Sequence, residues 1–269
     1  MKKFLSLALA AVMTLSALLL TGCNAVKKNN VDAIKEAGKL TVFTEAGFAP
    51  YEFDYDGKIV GVDVKIMEAV AAKLGVELEI TSVGFDTIVT SVQKGKVNAG
   101  AAGITINAER AEKVDFSIPY SSTAQYIIVP VGNTDIQNAQ DLAGKKVGVQ
   151  SGTTSDLLFD DLNVAVEEVL AYASAPVAAA GLGTKVDAVV TDKLTAEIIV
   201  ANNSAYKTFA LNNEDGTPVA EVEEYGICVA KGNETLLTVI NEVLTELLAN
   251  GSIDTWTAEY TALANELGQ

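Results

Sequence analysis

The stretch AAGITINAERAEKVDFSIPY, residues 101–120, decides how the chain is read, because it carries Arg110, the one arginine among 19 basic residues. Every other positive charge is a lysine. A guanidinium is planar, always charged and offers paired donors that match a carboxylate at two points, whereas an ammonium is a hydrated point charge. A carboxylate clamp is therefore one expectation for Arg110, and a surface or interdomain ion pair is the other. Just upstream, residues 97–104 are small and apolar enough for a central strand. Gly103 lets a ligand approach the backbone, Thr105 presents a hydroxyl, and Asn107 caps a short helix carrying Arg110. The spacing of Gly100 and Gly103 does not make a dinucleotide fingerprint.

Outward from this stretch, strands and helices alternate as in an open α/β sheet, which places ligands at the carboxyl ends of its strands. A strand at 40–44 runs into Glu45 and Phe48. Asp56-Gly57 is the strongest short hairpin signal. Asp63 is expected to cap a helix whose Ile66, Met67, Val70 and Leu74 share one face. A strand at 76–83 leads to Phe85. Phe48 and Phe85 read either as core aromatics or as two faces of an apolar slot.

A second unit repeats this logic. A strand at 146–150 ends in Gln150, and SGTTSD at 151–156 opens a helix. Amides and hydroxyls there, Thr153 and Thr154 among them, suit an anion or simply cap the helix. A helix is expected over 171–185, started by Pro176, then a strand at 186–190 ending in Thr191 and Asp192. Asp192 reads as an acceptor for a ligand ammonium or as the cap of a helix at 193–201. A strand at 226–230 contains Cys228, which has no basic neighbour to activate it and reads as a core residue. Helices at 233–248 and 253–267 close the chain.

With 49% apolar and 20% charged residues, the 269-residue chain has a globular composition. A formal charge of −16 argues against nucleic acid. The absence of histidine removes the commonest general base and metal ligand. No metal or cofactor is expected, and Cys23 and Cys228 imply no disulfide framework. Lys2 and Lys3 before an apolar run at 4–20 form a secretory leader. Leu20-Thr21-Gly22-Cys23 resembles a bacterial lipobox, which implies cleavage before Cys23, its diacylation and durable attachment to the lipid bilayer. Residues 1–22 are then a signal peptide and 23–30 a tether.

The segments FAPYEF, GVDV, GFDTIVTSVQKGKVNAGAAGIT, ER, VDFSIPY, DLAGKKVGVQSGTT, VDAVVTD and EYGICVAKG follow one another as in the bacterial solute-binding proteins of polar amino acid ABC transporters. The chain is similar to this family over residues 35–260, departing at Val62, where an aromatic residue is commoner. The resemblance implies a two-lobed, type II periplasmic-binding-protein fold: lobe one at 31–119 and 226–269, lobe two at 125–220, and a hinge at 120–124 and 221–225. It implies that Arg110 and the Thr105 amide hold an α-carboxylate and that Thr154 completes the contact on closure. Asp192, the Gly103 carbonyl and the Thr105 hydroxyl would take the α-ammonium. Phe48 and Phe85 would sandwich the side chain, and Glu45, Gln150 and Thr191 would set selectivity, with neutral or cationic ligands favoured. The implied protein is a lipid-anchored monomer outside the cytoplasm, serving an ABC permease and not catalytic. A sensor module, or a dehydratase using Glu45 as acid or base, are the competing readings.

Overall fold

The computed structural model describes residues 29–268. The expected leader, Cys23 and most of the tether lie outside the described residues. In the strand Lys39–Thr44, Leu40, Val42 and Thr44 are buried while their neighbours are less so, the alternation of a strand with one face in a core. It pairs in parallel with Glu77–Ser82 and Ala99–Gly100, and the sheet is completed by Cys228–Ala230 and Val114–Phe116 in antiparallel pairing. The helix Val62–Leu74 packs Ile66, Met67 and Val70 on one face of this sheet, together with Leu236, Ile240 and Leu244 of Glu234–Ala249. Each such fully buried side chain contributes about 1.5–3 kcal/mol. The other face is covered by Ile88 and Val92, which pack with Ile104 and Cys228.

The second sheet has the same plan. Its order is Glu168–Tyr172, Lys146–Gln150, Ala188–Asp192, Gln125–Pro130, Tyr206–Ala210, with the first three parallel and the last two antiparallel. It too has an apolar cluster on each face. Between the two units, Ser121–Thr123 and Glu223–Tyr225 pair as a two-stranded ribbon, the chain crossing once in each direction. In both large sheets the carboxyl ends of the parallel strands face the space between the units, so the site is built there.

Four local expectations are corrected. Asp63 does not cap the helix Val62–Leu74: the cap is Gly61, and Asp63 turns inward, accepting from the Gly103 amide at 3.0 Å and the Tyr120 hydroxyl at 2.8 Å. Residues 171–185 are not one helix; a strand Glu168–Tyr172 precedes a short helix Ala175–Ala179. Ala and Gly carry no face pattern, so propensity was a poor guide where packing against the second sheet decides. The central strand near 97–104 is only Ala99–Gly100 long, because Gly103 turns the chain with φ of +53°. The helix expected at 87–94 begins two residues earlier, as Phe85–Gln93, so that Phe85 is its first residue. The Asp56-Gly57 hairpin does form, with φ of +53° and +72° at the two turn residues, both in the left-handed region that a type I′ turn requires.

Candidate functional site

The eleven residues singled out as pocket candidates line one pocket between the units. Glu45, Phe48, Phe85, Gly103, Thr105 and Arg110 come from the first unit, and Gln150, Thr153, Thr154, Thr191 and Asp192 from the second. Ala102 and Ser155, not singled out, complete the lining.

Arg110 stands on the helix Ala108–Lys113, started by Asn107, whose side chain accepts from the Arg110 amide. The side chain is only 7% exposed. It donates to the Thr105 carbonyl at 2.9 Å and, across the cleft, to the Gly152 carbonyl at 3.2 Å, and its guanidinium lies 5.3 Å from the centre of the Phe85 ring. Among the described residues no carboxylate lies within ion-pair distance of it. A buried guanidinium with spare donors and no paired anion is short of partners. Burial lowers its pKa, and the charge of Glu223 is the first influence working the other way.

Phe48 is nearly buried and stacks on Tyr51 at 5.6 Å between centroids, whereas Phe85 is half-buried. Gly103 is required here for two reasons. Its φ is positive, and a Cβ would stand 2.4 Å from Phe48 Cε1. Thr153 caps the helix Thr154–Asp161 through its hydroxyl, while the Thr154 side chain is free to point elsewhere and donates to Glu223 at 2.7 Å.

Asp192 makes no capping bond to the helix Lys193–Ala201. It accepts from the Tyr225 hydroxyl at 2.5 Å and from Gln125 Nε2 at 3.2 Å. Desolvation, then the charge of Glu223, push its carboxyl up to about 7. Glu45 accepts from Gln150 Nε2 at 2.8 Å across the cleft, and burial raises its pKa as well. Beneath Gly103, Asp63 is pushed up to about 6 and the fully buried Glu52 well above the usual carboxylate range, both chiefly by burial.

Two polar residues that tie the site together were not singled out from the sequence. Glu223 accepts from Thr105, Thr154 and Gln125, and Gln125 in turn bridges Glu223 and Asp192. In the run 221–225, EVEEY, a period-two reading would have placed Glu223 on the same face as Tyr225. Nothing local distinguishes Gln125 from an ordinary strand end.

Residues 40–262 match the family described as bacterial extracellular solute-binding proteins, family 3. The L-cystine-binding protein TcyJ of Escherichia coli (strain K12) is 31% identical over 83% of this chain and 82% of that protein. The arginine-binding extracellular protein ArtP of Bacillus subtilis (strain 168) is 30% identical over 94% of this chain and 96% of that protein. Among solved structures, the amino acid ABC transporter substrate-binding protein AbpA of Streptococcus pneumoniae, bound to L-arginine, superposes with a TM-score of 0.77 at 30% identity, covering 87% of this chain and 98% of that one.

Proposed function

The chain belongs to the bacterial extracellular solute-binding proteins, family 3, and from that premise we propose that it captures an α-amino acid between its lobes and delivers it to an ABC permease. The observation that carries this reading is Arg110, buried in the pocket wall and without a carboxylate partner among the described residues. A ligand carboxylate is the group it lacks. In this reading the Thr105 amide shares that carboxylate, and the backbone amide of Thr154, at the start of its helix, closes on it from the second lobe. Asp192, the Gly103 carbonyl and the Thr105 hydroxyl hold the ammonium, and Phe48 and Phe85 enclose the side chain.

The electrostatics favour a cationic side chain over an acidic one. Glu45 and Asp192 line the pocket and Glu223 backs it, three carboxyl groups against one guanidinium. A zwitterion adds no net charge, so a cationic amino acid is the ligand that offsets the excess, its side chain reaching Glu45. The curated ArtP is named for arginine and the AbpA structure contains it, which agrees with this direction. Gln150, Thr153 and Thr191 would tune the choice among cationic and polar neutral ligands.

The lobes are read as 31–119 with 226–269, and 125–220, joined by the two crossing strands. We read the protein as a non-catalytic monomer held at the outer face of the membrane through acylated Cys23. A thermal-shift panel of the twenty common amino acids and cystine tests the ligand class. A ligand at a hundred times its Kd adds about 2.7 kcal/mol of stability, or about 5–10 °C for a protein of this size. A rise with arginine or lysine exceeding that with glutamate is expected. No rise with any of them would remove the amino acid reading.

A further inference from the structure

The two hydroxyls beside Arg110, Thr105 from the first lobe and Thr154 from the second, point their protons at the same atom. Both donate to Glu223 Oε2, at 2.6 and 2.7 Å. Its other oxygen accepts Gln125 Nε2 at 2.6 Å, and Gln125 is itself fixed by accepting the Ser155 hydroxyl at 2.7 Å. Glu223 sits on the crossing strand Glu223–Tyr225, outside both large sheets and behind the pocket lining.

A hydroxyl has one proton and two lone pairs. Bonds from hydroxyl to carboxylate are charge-assisted and hold their direction well. With its proton committed to Glu223, Thr105 has only lone pairs left for the pocket. Thr154 stands in the same position, and one of its lone pairs already faces Gln125 Nε2 at 3.4 Å. Thr105 Oγ is therefore an obligate acceptor, satisfied by an ammonium and set lone pair to lone pair against a ketone or carboxylate oxygen.

We propose that Glu223 is a positioning residue for amino-group recognition: by taking the Thr105 proton it makes the pocket select ligands that carry an α-ammonium and reject the same carbon skeleton without one. The inference rests on the reading of this pocket as an α-amino acid site. It extends that site to a residue that does not line the pocket and acts through one that does. A neutral amide at position 223 has both donor and acceptor character and leaves the Thr105 proton free to turn into the pocket.

The test is calorimetric titration with L-arginine and with its des-amino analogue, δ-guanidinovalerate, on the wild type, Glu223→Gln, Thr105→Val and the double variant. Should another amino acid bind better in the thermal-shift panel, it and its own des-amino analogue replace this pair. In the wild type the amino acid is expected to bind at least about a hundredfold more tightly than the analogue. Either single variant should reduce that preference about tenfold, the cost of one unmet polar contact. The double variant should lose no more than the single ones, because both act on one hydroxyl. If Glu223→Gln does not fold, Glu223→Ala is read in its place. Thr105→Ser, which keeps the hydroxyl, should keep the preference. A purely structural role for Glu223 predicts equal weakening toward both probes with an unchanged preference and additive losses, and that result overturns the proposal. A wild type that binds no amino acid removes the amino acid reading and this inference together, whereas tight binding with an unchanged preference removes this inference alone.

Discussion

Replacing Arg110 by lysine keeps the charge and removes the planar fork, so Arg110→Lys should weaken amino acid binding by at least about 1.5 kcal/mol, measured by calorimetry. Full retained affinity would take Arg110 out of the clamp. The Asp192 carboxyl, pushed up to about 7, faces Tyr225, Gln125, Glu223 and Arg110. An ammonium binds its ionised form, so below that value the carboxyl must first release a proton. Affinity should therefore rise as pH rises from about 5 to about 7 and flatten above, with close to one proton released on binding near pH 6. Calorimetry in buffers of different ionisation enthalpy measures that proton, and a flat profile would separate Asp192 from the ammonium. Glu45→Gln should change the ranking of ligands, cationic ones losing most, more than it changes the melting temperature of the free protein. At this scale the sequence was unevenly informative. A solitary arginine among lysines announces itself in composition, but its local alternative, an ion pair, was removed only by seeing which carboxylates stay away. Glu223 was invisible because the run at 221–224 offers three acids of equal appearance, and only strand pairing shows which one turns inward.

Among elements, the strands with clear alternation and the helices with a repeating apolar face were legible from residue order, as at Lys39–Thr44 and Val62–Leu74. The region around Ala175–Ala179 was not, since small side chains carry no face and the strand Glu168–Tyr172 is fixed by pairing with residues more than twenty positions away. The turn before the helix Thr154–Asp161 shows how an element sets the distance between lobes. Gly152 has φ of +73°, and a Cβ there would stand 2.9 Å from Asp86 Cβ on the opposite lobe. Gly183 has a nearly equal φ of +75° with open space around it. Both Gly→Ala substitutions carry the same backbone strain of about 1–2 kcal/mol, but Gly152→Ala alone obstructs closure. It should lower ligand affinity at least about tenfold while Gly183→Ala leaves affinity unchanged. Equal affinities in the two variants would show that this approach between lobes does not matter to binding.

For the whole molecule, the contacts between lobes at the pocket are polar: Gln150 to Glu45, Arg110 to the Gly152 carbonyl, and Thr105 with Thr154 through Glu223. Away from it, the Thr195 hydroxyl meets the Ala49 carbonyl, and Phe53 and Ile198 join one small apolar cluster. A ligand touching both sides shifts the balance between open and closed states by its preference for the closed one. The two-unit architecture could be anticipated because the α/β alternation occurs twice, whereas the relative placement of the units depends on contacts such as Gln125 to Glu223 that no local pattern encodes. A crystal structure grown with the best-binding amino acid shows directly how the zwitterion sits in the pocket. Expected there are the α-carboxylate in a two-point contact with Arg110, the ammonium on Asp192 and Thr105 Oγ, and the side chain between Phe48 and Phe85 toward Glu45. A ligand bound in the reverse sense, with its ammonium away from Asp192 or its α-carboxylate away from Arg110, would contradict this placement.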